Sequence, residues 1–289
     1  MDIYEKYFFD VNGYLVVEDI LSADQVAALN EAIDHNRDRI RIREGEDRLS
    51  GGVGRHGGEV SIALEGSHGR GDIGSILRWP KPWCQPFRDL LSHLPTMNYM
   101  LDMIGNGFRY GNANGISMTK GAEGHLLHGG GGFLGGHMYF CKDGKMWNNL
   151  IAVCYQLADV NPGDGGFVCI PGSHKANFEC PVDVRRMERD LGCFKHIPMK
   201  AGTAVIFTEA LTHGAMPWTA DHERRTLLYR YAAGGYVNPP SGNDPAKYAP
   251  FMDELTPLQQ AIMQPPHNAG RIDMAALIEA EEKVSVGDS

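Results

Sequence analysis

Two hydrophobic textures alternate along the chain. Near the start, "GYLVVEDILSADQVAALNEAIDHN" opens on a short apolar run, Tyr14 to Val17, which predicts a strand. Ser22 with Gln25 three residues later has the pattern of a capping box. Val26, Leu29 and Ile33 then recur at helical spacing, so a helix is predicted from about 23 to 36. "KPWCQPFRDLLSHL" reads as a turn leading into a second helix near 85–95. From about residue 98 glycines become frequent and short β-type runs are split by turn signals: "NGISMTK", "NLIAVCYQLADV", "GGFVCIPGSH", "GTAVIFT" and "RRTLLYRYAAGGYV". Many short strands of this kind predict a β-barrel or a double-sheet jelly roll. "DELTPLQQAIMQPPHN" and "IDMAALIEAEEKV" return to a helical texture. The expected fold is mainly β with flanking α-helices, in one domain over 1–289. It has a helical part to about 97, a cupin-like jelly-roll core from about 98 to 238 and a helical tail from about 239.

Composition narrows the function classes. The 289 residues suffice for a full core, and a formal net charge of -9 argues against a nucleic-acid polymer or an anionic membrane as partner. No apolar run approaches the roughly 20 residues a membrane span needs. "MDIYEKYFFD" lacks the basic and apolar regions of a signal peptide, so a cytoplasmic protein is expected. The six cysteines form no CxxC pair and read as buried free thiols in a reducing compartment. "NRDRIRIREGEDRLSGGVGRHGGEVS" carries Arg37, Arg39, Arg41, Arg43 and Arg48 before a glycine-rich run. Two readings stand: a solvated face with a mobile loop, or a lid closing over an anionic substrate.

Candidate chemistry lies in "GTAVIFTEALTHGAMPWTADHERRTLLYRY". An apolar strand, Ala204 to Phe207, precedes His213 at the start of a turn, and Arg224 opens another strand. His128 stands far upstream in "GHLLHGGGGFLGGH". Neutral imidazole is a common ligand for iron, copper and zinc, and two histidines on facing strands can hold one ion without a local motif. With 12 histidines in the chain, spacing alone singles out no pair.

"LADVNPGDGGFVCIPGSHK" (157–175) and "HGAMPWTADHERR", within a stretch running from "GYLVVEDILS" to "LLYRYAAGG", make the decision. On these the sequence resembles the phytanoyl-CoA dioxygenase-like family of iron(II)/2-oxoglutarate oxygenases. The resemblance implies a double-stranded β-helix that uses Fe(II), 2-oxoglutarate and dioxygen. It places iron ligands at His128, at the residue two positions on, and at His213. It places the arginine that grips the far carboxylate of 2-oxoglutarate at Arg224, a task suited to a forked, permanently charged guanidinium. Arg225 is the adjacent alternative until the strand register is known.

The residue two positions after His128 is Gly130, where the family has a carboxylate. A facial triad leaves three iron positions open, and losing the carboxylate opens a fourth and removes a negative charge. Chloride is the natural occupant. Halogenases related to this family have glycine or alanine here, so the resemblance implies a free-standing halogenase. In such an enzyme 2-oxoglutarate and dioxygen yield succinate and carbon dioxide, and a substrate carbon radical recombines with the halide. The alternatives are hydroxylation by an altered site, with Asp143 as substitute carboxylate, and a non-catalytic relative that binds 2-oxoglutarate. Glu123 is an odd offset from His128 and on a regular strand points away.

The expected partner is a small soluble substrate, anionic if the arginine cluster serves it, such as a nucleotide or amino acid. Among flanking residues, His125 is expected on the opposite strand face. His137 is a candidate substrate contact, His174 a turn residue, and Tyr155 and Gln156 candidate 2-oxoglutarate contacts. Trp83, Trp147 and Trp218 are expected to pack. "GNGFRYGNANG" lacks the βαβ context of a nucleotide loop.

Overall fold

The computed structural model describes residues 1–50, 61–130, 137–237, 245–266 and 272–287. Thirteen strands occur among them. In chain order they are β1 (Tyr14–Val17), β2 (Ile40–Ile42), β3 (Gly71–Ile73), β4 (Arg109–Met118), β5 (His125–His128), β6 (Tyr139–Lys142) and β7 (Lys145–Asn148). There follow β8 (Leu150–Gln156), β9 (Gly166–Cys169), β10 (Lys195–His196), β11 (Ala204–Thr208), β12 (His213–Met216) and β13 (Arg224–Ala232). A seven-stranded sheet runs β1-β11-β8-β13-β4-β3-β2, a four-stranded sheet runs β10-β9-β12-β5, and β6-β7 is a separate hairpin. Every strand pair is antiparallel. This is the jelly roll that the strand texture predicts, with helices on one side.

Strand alternation sorts the side chains into two cores. Cys154, Phe207 and Leu228 of the large sheet pack with Phe167 and Cys169 of the small one. Ile151, Val153, Tyr155, Leu227 and Tyr229 face the other way, against Leu29, Ile33, Phe87 and Met100 of the helices. β8 is therefore buried on both faces, which explains its unbroken apolar run.

The predicted capping box is present: Ser22 Oγ accepts from Gln25 N and Gln25 Oε1 from Ser22 N, starting a helix over Ala23–His35. The single helix predicted near 85–95 is two helices, Gln85–Leu91 and Leu94–Met103, and Pro95 in the first turn suits the new start. The N-terminal part is less helical than expected, because β1, β2 and β3 join the large sheet. Helices at Pro257–Ile262 and Met274–Gly287 match the helical tail. Cys84, Cys154 and Cys169 are buried free thiols as expected, whereas Cys141 is exposed. Among the described residues no helix is long and apolar enough to cross a membrane.

The arginine cluster is committed to internal partners. Arg37 pairs with Asp34 and Glu223, Arg41 with Asp47, Arg43 with Asp72 and Arg48 with Glu123. Arg39 donates to Asn36. The cluster is therefore paired within the chain, with Arg37 and Arg41 still exposed; the glycine-rich run at 51–60 lies outside the described residues.

Candidate metal centre

β12 pairs with β5 so that His213 stands directly opposite His128, and their ring centroids are 4.2 Å apart. Nδ1 of His128 lies 3.1 Å from the Leu126 carbonyl, and Nδ1 of His213 lies 2.8 Å from the Leu211 carbonyl. Each carbonyl holds the proton on Nδ1, so the lone pair of each ring sits on Nε2. Burial pushes the His213 pKa below its ordinary value, against the pull of Glu209, and keeps the ring in the neutral form that binds metals.

A bulge changes the neighbourhood. Ala215 pairs with His125 and His213 with His128, so three steps on β5 match two on β12. The extra residue carries His125 round to the face of His128, with ring centroids 4.4 Å apart, rather than to the opposite face expected of a regular strand.

Beyond His128 the chain leaves the strand at once. Gly129 and Gly130 have φ of +75° and +103°. A Cβ on Gly129 would lie 2.5 Å from the Leu211 carbonyl, and one on Gly130 would lie 2.9 Å from Thr212 Oγ1. The glycines are what let this turn pack against the 209–212 connection. Gly130→Asp is therefore expected to destabilise the fold by about 1–2 kcal/mol without tightening metal binding. Thermal unfolding with and without nickel checks this; unchanged stability with tighter binding would contradict it. The remaining glycines of that run, 131 and 132, lie outside the described residues.

The structure brings in a carboxylate that the sequence reading passed over. Glu209 lies in the turn between β11 and β12, four residues before His213, and is 5% exposed. His128, Glu209 and His213 each offer one ligand atom, all within 4.8 Å of one another. Glu209 Oε2 is 3.8 Å from His213 Nε2, and Oε1 accepts from Arg230 Nε at 2.5 Å. Burial alone would raise the Glu209 pKa; Arg230, joined by the imidazoles of His213, His128 and His137 where these are protonated at low pH, outweighs it and holds it at about 2. The other two carboxylates stand elsewhere. Asp143 is exposed at the tip of the β6-β7 hairpin. Glu123 accepts from Leu49 N, Ser50 N and Ser50 Oγ.

The register separates the two arginines. Arg224 points into the cavity between the sheets, beside His128, His213 and Cys154, and is 2% exposed. Its Nε has no hydrogen-bond partner and its Nη1 touches Met118 Sδ. Arg225 lies on the other face of the sheet, buried against the helix Ala23–His35, and bonds Asp34, Glu223 and Asn30. Arg70 lines the same cavity as Arg224, and burial lowers its pKa to about 10 despite Asp72. Two guanidiniums beside one cavity attract an anion. Gly166 makes room for this: a Cβ there would meet Arg224 Nε at 2.9 Å.

Other expectations resolve simply. Tyr155 belongs to the helix-side core, bonding Thr96, and Gln156 bonds Thr226, so neither reaches the arginine cavity. His137 sits 3.4 Å from the Tyr236 hydroxyl. His174 Nε2 bonds the Asp10 carbonyl. Trp218 is fully buried, Trp83 stacks on His35, and Trp147 stacks on Phe140 at the exposed hairpin. A second cleft of about 580 Å³ meets His128 from the side of Gly129 and Gly130, walled by Ile170, Phe178 and Leu191.

Fold and site together define a jelly roll with two facing imidazoles and a buried arginine in one cavity, and a carboxylate close to the imidazoles. A model of the phytanoyl-CoA dioxygenase (PhyH) family matches residues 9–226, and the chain belongs to that family of iron- and 2-oxoglutarate-dependent oxygenases. Among solved structures it is similar to HygX from Streptomyces hygroscopicus, with nickel, 2-oxoglutarate and hygromycin B bound. The identity is 20%, covering 81% of this chain and 88% of that one, with a TM-score of 0.61. It is also similar to SnoK, a non-haem α-ketoglutarate-dependent carbocyclase from nogalamycin biosynthesis. That match has 16% identity over 93% of this chain and 94% of that one, with a TM-score of 0.59. The epimerase SnoN, in complex with Fe3+, α-ketoglutarate and nogalamycin RO, matches at 17% identity over 83% and 86%, with a TM-score of 0.56. At these identities the likeness is one of fold. No curated protein matches the chain in sequence.

Proposed function

We propose that the chain is an iron(II)- and 2-oxoglutarate-dependent oxygenase that oxidises an unactivated C–H bond of a small molecule. One observation carries the reading. His128 and His213 are paired across neighbouring strands with both Nδ1 atoms tied to carbonyls, and the same cavity holds a buried Arg224 with an orphaned Nε. Two imidazoles with an acid nearby suit non-haem iron, and an unpaired buried guanidinium suits a dicarboxylate. When bound, iron and 2-oxoglutarate supply the oxidising power, with dioxygen consumed and succinate and carbon dioxide formed.

The chain's own residues divide the remaining work. His128 and His213 hold the metal. Arg224, with Arg70 beside it, grips the distal carboxylate and turns the keto end toward the histidines. Burial of this cavity excludes water, which strengthens the guanidinium–carboxylate attraction. The substrate approaches from the opposite side, through the cleft that ends at Gly129 and Gly130. Its volume falls in the usual range for small-molecule sites. The small molecules bound in those structures, hygromycin B in HygX and nogalamycin RO in SnoN, fit the same class.

Halogenation is the second reading, and Gly130 favours it, since no side chain there covers the metal. Incubation with candidate metabolites under 18O2, in chloride and then bromide buffer, tests both. The expected product carries one 18O atom and its mass is the same in either buffer. A product with a halogen isotope doublet selects the second reading. No oxygen-dependent succinate with any substrate, at full iron loading, contradicts both.

A further inference from the structure

We propose that Glu209 is the acidic iron ligand of this protein, taking the role that the family gives to the residue at position 130. The inference rests on the reading of His128 and His213 as an iron site. It starts from the geometry of the turn between the sheets. β11 belongs to the large sheet and β12 to the small one, so the buried residues 209–212 cross between them. Leu211 N–H donates to the Thr208 carbonyl, and Thr212 N–H donates to Ser173 Oγ, which fixes the crossing. Glu209 projects from its first residue toward the two imidazoles.

The carboxylate is oriented as a ligand is. Arg230 holds Oε1, and Arg230 is itself placed by Asn114 and Asn112. Oε2 is left on the side of His213 Nε2, 3.8 Å away. Two cis ligands at about 2.1 Å from one ion stand about 3 Å apart, so an inward shift of under 1 Å closes this pair on a metal. A guanidinium behind a ligating carboxylate is the outer support that metal sites commonly use. A structural salt bridge alone would not need the second oxygen turned toward the two imidazoles, with ligand atoms of all three residues within 4.8 Å of one another.

The same geometry explains the glycines after His128. A ligand arriving from the 209–212 turn needs that turn close to β5. The backbone of Gly129 packs against the carbonyls of Glu209 and Leu211, where a Cβ would lie 2.6 Å and 2.5 Å away. The site thus exchanges an acid on one strand for an acid on the crossing turn. The missing negative charge is restored without a halide.

The experiment has two arms on the whole chain. Anaerobic calorimetry with Fe(II), and with Co(II) as a spectroscopic probe, compares the wild type with Glu209→Gln. Crystals of the wild type grown with nickel report the ligands directly. We expect at least a tenfold loss of metal affinity in Glu209→Gln, a changed Co(II) visible spectrum, and Glu209 Oε2 within bonding distance of nickel. Equal affinity and spectrum in the two proteins, or a nickel ion held by His128 and His213 with Glu209 turned away, overturns the role of Glu209 while leaving the metal site standing. A wild type that takes up no metal overturns both. Should Glu209→Gln not fold because Arg230 is left unpaired, the nickel structure decides alone.

Discussion

His213→Ala is expected to lose iron(II) binding by at least about 100-fold and to reduce oxygen-dependent succinate formation to background. The ring offers its Nε2 lone pair because the Leu211 carbonyl fixes Nδ1, and among the described residues no other imidazole faces His128 across a strand pair. The substitution also opens a space beside Phe207 and Phe167, so some stability is lost with it. His128→Ala separates the two effects. That residue is only half-buried, and its removal is expected to cost the metal while the fold stays close to wild type. Metal stoichiometry after anaerobic reconstitution and desalting, read beside a melting curve, is the check. Retention of one iron per chain in either variant would mean that the two histidines are not a metal pair.

Arg224→Ala is expected to raise the KM for 2-oxoglutarate by roughly 100- to 1,000-fold while iron affinity stays within a few-fold of wild type. The figure follows from removing one partner of a desolvated charge pair, which costs about 3–4 kcal/mol. Arg224→Lys keeps a charge but not the fork, and an intermediate KM is expected. Arg225→Ala is the control. Its guanidinium ties β13 to the helix Ala23–His35 through Asp34 and Asn30, so the substitution is expected to lower stability and leave the KM alone. Steady-state kinetics in 2-oxoglutarate, with succinate as the readout, distinguishes the three. An unchanged KM in Arg224→Ala would assign the cavity to another ligand.

Much of this was legible in the sequence, for identifiable reasons. The runs at 150–156, 204–208 and 224–232 are long, apolar and bounded by turns, and they are β8, β11 and β13. Ser22 and Gln25 announced their helix by a local reciprocal bond. The same reciprocal pattern in Asp2 and Glu5 starts the helix Ile3–Asn12. What stayed hidden depends on long-range pairing. The choice between Arg224 and Arg225 needed the register of β13. His125 was misplaced because a bulge shifts the alternation by one residue, and nothing local in "HLLH" marks it. Glu209 was invisible because it sits on a crossing turn rather than at a strand offset from His128. Arg70 was invisible because its loop meets β13 only in space. That the cluster from Arg37 to Arg48 pairs with Asp47, Asp72, Glu123 and Glu223 is likewise a matter of contacts in space that the sequence does not show. "NPGDGGFVCIPGSHK" served as a family marker; its physical jobs are Gly166 leaving room for Arg224, and Ser173 accepting from Thr212.

The most direct measurement is the visible spectrum of the protein under strict anaerobiosis as iron(II) and then 2-oxoglutarate are added. A weak charge-transfer band that requires both additions, and that is absent in His213→Ala and displaced to far higher 2-oxoglutarate concentration in Arg224→Ala, is the predicted result. A wild-type protein that binds iron at full stoichiometry yet shows no band at saturating 2-oxoglutarate would contradict the account.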